Sequence, residues 1–160
     1  MAWSAERLPA GRPRARISTG LTLACAVLAM APDLDLLVPG MHRTATHSIT
    51  AALLVTIIAA AVTGWVTRKI DWRVATICGL AYASHLVFDW VGADPNVPSG
   101  IQLWWPFSHR WFIAAWTIFP GTERRDVFSA ASLIANVTAL AVEVGIFGPV
   151  VFGLWRLRRK

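Results

Sequence analysis

Charge is scarce in this chain, and acid is scarcer than base. Only 15% of its 160 residues are Asp, Glu, Lys or Arg, nine acidic against fifteen basic, and long stretches carry none. Soluble domains carry about 25%, so an ordinary water-soluble globule is excluded. Hydrophobic residues make up 56% instead, and the mean hydropathy is +0.53. Cysteine is also sparse. Cys25 and Cys78 each sit within an apolar run, with no Cys-x-x-Cys pair and no disulfide framework, and read as small buried hydrophobes. The net charge of +6 forms no stripe of its own. The basic residues stand at the ends of apolar segments, where they anchor against anionic lipid, so membrane lipid is the expected partner and nucleic acid is not.

The apolar runs predict an all-α, polytopic membrane protein with a single membrane-embedded domain over residues 1–160. Ile49 to Val66 is uncharged throughout, long enough for a short transmembrane helix. Residues 130–155 contain one charge, Glu143, for which the sequence offers no partner. Four helices are expected, at about 17–31, 48–66, 74–92 and 128–155. The first has a rival reading as a signal peptide, but cleavage after Ala31 would leave Pro32 just beyond the cut. The connection 93–127 contains Pro95, Pro98, Pro106 and Pro120, so no continuous helix can run through it. Its Trp and Phe residues suit the headgroup zone, and residues 109–119 are expected to form a short interfacial helix.

Four helices put eleven of the fifteen basic residues on one side: Arg7, Arg12, Arg14 and Arg16; Arg68, Lys69 and Arg73; Arg156, Arg158, Arg159 and Lys160. Arg43, Arg110, Arg124 and Arg125 fall on the other. The positive-inside bias then predicts cytoplasmic termini in a bacterial inner membrane.

That topology brings the chemistry to the outer face. Asp33 and Asp35 end the first helix, His42, Arg43 and His47 open the second, and His85 and Asp89 lie near the outer end of the third. His85 and Asp89 are spaced i,i+4 and share a helix face. Imidazole and carboxylate together suit zinc first and manganese second. Asp33 and Asp35 share a side if the segment after Pro32 is extended and diverge by about 200° if it is helical; an extended or turning segment, with the carboxylates on one side, is expected here. Thr46 or Ser48 is the expected N-cap of the second helix. Arg124 and Arg125 form a pair suited to gripping phosphate or anchoring to headgroups.

Taken in order, Pro32-Asp33-Leu34-Asp35, His42-Arg43-x-x-Thr46-His47-Ser48, Ser84-His85-x-x-x-Asp89 and Leu103-Trp104-Trp105-Pro106-Phe107-Ser108 resemble the bacterial inner-membrane metal-dependent hydrolases, also described as LexA-binding inner-membrane-associated hydrolases. The resemblance extends through Gly121-Thr122-Glu123-Arg124-Arg125 and covers most of residues 30–125. The family is similar to zinc-dependent phospholipases C, which implies that Asp33, Asp35, His42, His47, His85 and Asp89 supply metal ligands or their hydrogen-bonded partners. His109 stands where that pattern has an acidic residue, and is left out of the set.

The expected function is therefore hydrolysis of a phosphoester, lipid-like, at the outer face. Asp89 and Arg43 are the catalytic candidates; Arg43, Trp105, Ser108, Arg124 and Arg125 are the substrate-binding ones. The alternative is a non-catalytic metal-binding scaffold, whose site would be closed to water.

Overall fold

The chain is described by a computed structural model covering residues 12–158 apart from 96, 124, 125 and 127. Four helices form: α1 (Arg12–Met30), α2 (Ile49–Thr67), α3 (Trp72–Val91) and α4 (Ala130–Arg158). α2, α3 and α4 each provide a stretch long and apolar enough to cross a membrane, and so does the run Gly20–Leu37, which starts in α1 and ends with the 3₁₀ segment that follows it. Leu23, Ile57, Trp65, Leu80 and Val150 all point outward, an arrangement that water opposes and lipid accepts. The protein is a polytopic helical membrane protein.

α3 is the central helix and packs against both α1 and α2. Gly79 lets α2 approach closely, because a β-carbon there would collide with the Thr56 side chain. The α2–α3 turn is closed by Arg68 in the left-handed region (φ +60). Asp71 then caps α3, its carboxylate accepting from the Arg73 and Val74 amides at 3.0 and 3.2 Å. At the opposite end of this hairpin Ser48 caps α2, accepting from the Ala51 N–H at 3.1 Å. Ala52, Tyr82, Leu86 and Ile101 form the core beneath that end.

Two local expectations are corrected. Residues 31–37 are a 3₁₀ helix rather than an extended segment, so Asp33 and Asp35 project in different directions. Residues 109–119 are not helical. Their amides go to other partners: Phe112 donates to the Ile101 carbonyl, Ala114 to that of Trp90 and Ile118 to that of Val91. The last two satisfy carbonyls that the end of α3 leaves open, so the loop caps α3 instead of coiling on itself. Gly100, at φ +97, abuts the Phe112 carbonyl so closely that no β-carbon fits.

α4 stands apart from the α1–α3 core. Phe147 packs on Phe88 and Phe119, with ring centroids 5.3 and 5.8 Å away, and the Asn136 amide exchanges hydrogen bonds with the Glu123 backbone.

Candidate metal centre

The helix ends and loops that the sequence assigns to one membrane face do converge. The 3₁₀ segment after α1, the loop before α2 and the last turns of α3 meet around His47, whose side chain is fully buried. The His47 ring lies edge-on to those of His42 and His85, with centroids 5.4 and 5.2 Å away.

The Asp-x-Asp pair straddles this imidazole. Asp35 Oδ2 lies 3.0 Å from His47 Nδ1, while Asp33 Oδ1 lies 3.7 Å from Nε2 on the opposite edge. The divergence imposed by the 3₁₀ helix is therefore what lets one short segment address both ring nitrogens. Asp35 is buried and well supplied with donors. It accepts from His42 Nδ1 at 2.7 Å, from the Arg43 amide at 3.0 Å and from the Thr46 hydroxyl at 2.5 Å. Tyr82 braces the same loop by donating its hydroxyl to the Thr46 carbonyl at 2.6 Å.

The other imidazole is oriented in the same way. His85 Nδ1 donates to the Ala29 carbonyl at 2.8 Å, and a carbonyl can only accept. With both Nδ1–H groups committed, neutral imidazoles turn bare lone pairs inward at Nε2. His47 Nε2 faces Asp89 Oδ2 at 3.0 Å, and His85 Nε2 faces Asp89 Oδ2 and Asp33 Oδ1 at 3.4 and 3.5 Å. His47 Nε2, His85 Nε2 and Asp89 Oδ2 are all buried without a hydrogen-bond partner. Lone pairs facing carboxylates call for a shared proton or a metal ion between them. Nitrogen–oxygen edges of 3.0–3.7 Å bracket the edge of about 3.3 Å expected for tetrahedral bonds near 2.0 Å. Imidazole nitrogens and carboxylate oxygens together suit a divalent ion. Asp33, His47 and His85 form one group compatible with an ion, and Asp35, His42 and His47 a second. Burial alone would push the His47 imidazole toward neutrality; the carboxylates of Asp33, Asp89 and Asp35 outweigh it and hold its pKa above the usual histidine value.

Arg43 closes one side. It adopts the left-handed region at φ +62, a costly conformation for a residue with a β-carbon. Its amide is held by Asp35, and its carbonyl accepts from the Gln102 amide. The guanidinium reaches Asp89 Oδ1 at 3.1 Å through Nη2 and pairs with Asp94 through Nη1. Asp94, which also accepts from the Gly100 amide at 3.1 Å, is a site residue the sequence reading missed. Nothing local announces a pairing across 51 positions.

A cavity of about 490 Å³ opens beside the cluster, lined by Asp33, Arg43, His85 and Asp89 on the α1–α3 side and by Glu143 and Phe147 on α4. Glu143 was likewise unassigned from sequence. Trp105 and Ser108 do not line this cavity. Trp105 fixes the loop to α2, its carbonyl accepting from the Thr50 hydroxyl at 2.7 Å, and Ser108 accepts from the Arg110 amide. His109 is exposed, and Arg124 and Arg125 lie outside the described residues.

Four apolar helices with a buried His/Asp cluster gathered at one end of the bundle define a multi-pass membrane protein with a candidate metal site. The chain belongs to the YdjM inner membrane protein family, which matches it over residues 2–156. It is thus a multi-pass inner-membrane protein. No curated protein and no solved structure matches it.

Proposed function

We propose that this protein is a metal-dependent hydrolase of phosphoesters, acting on a lipid-like substrate at the outer face of the membrane. The observation that carries the reading is the set of inward-facing acceptors without hydrogen-bond partners, His47 Nε2, His85 Nε2 and Asp89 Oδ2, bordered by an open cavity.

Asp33, His47, His85 and Asp89 hold the ion. Asp35 and His42, counted among the ligand candidates from sequence, act one shell out: Asp35 orients His47, and His42 holds Asp35 in place. A divalent ion bound here supplies a Lewis acid for the phosphoryl oxygen and brings a water within reach of ionisation near neutral pH. Arg43 offsets the charge of Asp89 at the cavity wall, beside the place where charge develops on the phosphoryl oxygens. The open cavity favours this reading over a scaffold, since a purely structural site fills every coordination position with protein atoms.

Protein purified in detergent and loaded with zinc or manganese is expected to hydrolyse a short-chain phospholipid or a phosphodiester reporter. A chelator should stop the reaction. Asp89→Asn should lower turnover by roughly 100-fold or more, since an amide is a poorer ligand and loss of even a ligand's outer partner costs about 10–100-fold, while circular dichroism shows the helices intact. Activity that survives both treatments would refute the assignment.

Orientation is a separate expectation. With Cys25 and Cys78 replaced, a cysteine introduced by Ser99→Cys should react with a membrane-impermeant maleimide in intact cells, whereas Lys69→Cys and Lys160→Cys should react only after lysis. The reverse pattern would put the metal cluster on the cytoplasmic side.

A further inference from the structure

Glu143 stands in the middle of a membrane-spanning helix, and its side chain makes no ion pair or hydrogen bond among the described residues. An intramembrane carboxylate without a partner is costly, and the default expectation is that function keeps it there. Its place is specific. It lines the same cavity as Asp33, Arg43, His85 and Asp89, but from α4, the helix that supplies none of the clustered acceptors. Phe147 follows it by one turn on the same face, and Phe88 and Phe119 continue that wall.

The cavity lining therefore combines two kinds of group. On the α1–α3 side are Arg43 and an ion site, which suit a phosphate. On the α4 side is a carboxylate without a partner among the described residues, with aromatic rings in the same wall, which suits an organic cation. A purely anionic substrate would bring its charge toward Glu143 in a medium of low dielectric, where repulsion is strong. A ligand that satisfies both kinds of group is a zwitterion. A volume of about 490 Å³ lies in the range of small-molecule sites and accommodates such a headgroup.

We infer that Glu143 is a specificity residue that recognises an ammonium group on the substrate, while the phosphate of that substrate lies on the Arg43 side of the cavity. This rests on the phosphoester reading and narrows it to ammonium-bearing phosphoesters.

Binding is the first readout. Zinc-loaded protein in detergent is titrated calorimetrically with two non-hydrolysable short-chain phosphonolipids, one with an ethanolamine and one with a glycerol headgroup, and with free phosphoethanolamine. The protein is expected to bind the ethanolamine lipid roughly tenfold more tightly than the glycerol lipid, the scale of a partly desolvated ionic or cation–π contact. Glu143→Gln should abolish that difference, and Glu143→Asp should keep part of it, both with metal content unchanged. Equal binding of the two lipids by the unaltered protein, or a preference that persists in Glu143→Gln, overturns the inference and leaves the phosphoester reading standing. Binding of neither lipid overturns both. Free phosphoethanolamine binding as tightly as the lipid supports ammonium recognition and makes the substrate a soluble ester; weaker binding supports it and makes the substrate a lipid. Turnover is the second readout. If Glu143→Gln slows hydrolysis of both headgroups equally at unchanged affinity, Glu143 serves acid–base chemistry and the recognition role falls.

Discussion

His47→Ala is expected to empty the metal site. Its ring nitrogens join the two halves of the centre, Nδ1 facing Asp35 and Nε2 facing Asp89 and Asp33, so truncation removes a ligand and strands the carboxylates around it. The loss of affinity should exceed the roughly 10–100-fold that removing a ligand's hydrogen-bonded partner costs. Asp35→Asn, by contrast, should fall within that 10–100-fold window, because in the proposed arrangement Asp35 orients His47 and does not touch the ion. His85→Ala combined with His47→Ala should add little, since ligands of one ion act as a unit. His109→Ala should leave metal content unchanged. Elemental analysis of the purified variants, with zinc titration for affinities, makes the comparison. Retention of metal by both His47→Ala and His85→Ala would dismantle the shared site, and loss as severe in Asp35→Asn as in His47→Ala would move Asp35 into direct coordination.

Arg43→Ala is expected to destabilise the fold itself, by about 3–5 kcal/mol, the cost of leaving buried charge without its partner. The Arg43 side chain is 11% exposed and that of Asp94 3%, with Asp89 at 16%. The screening that weakens surface ion pairs is therefore largely absent. Arg43→Lys should recover only part of the loss, because an ammonium lacks the fork that spans two carboxylates. Thermal unfolding in detergent, followed by circular dichroism on metal-free protein, separates this effect from any change in metal binding. A melting temperature unchanged in Arg43→Ala would show that Asp89 and Asp94 find other partners.

The helices were legible because long uncharged runs have few structural outcomes, and the convergence of three His and three Asp residues followed once those runs alternated across a membrane. What escaped reading depends on backbone detail or on distant pairing. The Asp33–Asp35 segment winds as a 3₁₀ helix, and periodicity over so few residues could not distinguish that from an extended stretch. Residues 109–119 have a helix-compatible pattern, but the carbonyls of Trp90 and Val91 compete for their amides, and nothing in the local sequence announces such competitors. Asp94 acquires its role only when Arg43 reaches it. Glu143 is harder still. A helix that is apolar nearly all round does not disclose which side faces the bundle, so a lone acid on it has no readable direction until Phe147 is seen against Phe88.

The detachment of α4 bears on how freely this sequence can drift over time. The clustered acceptors and their braces lie between Ala29 and Gln102, within α1, α2, α3 and the loops joining them. α4 meets the rest of the described chain mainly through Phe147, against Phe88 and Phe119, and through Asn136, against the Glu123 backbone. Along most of its length, selection on α4 acts on greasiness and reach rather than on identity: one aliphatic side chain serves as well as another against lipid. Lineages should therefore be able to exchange Leu, Ile and Val there almost without consequence, with Glu143, Phe147 and Asn136 as fixed points in an otherwise interchangeable helix. The four-residue spacing between Glu143 and Phe147 would be harder to alter than either end of the helix, since a single inserted residue would rotate one of them out of the cavity.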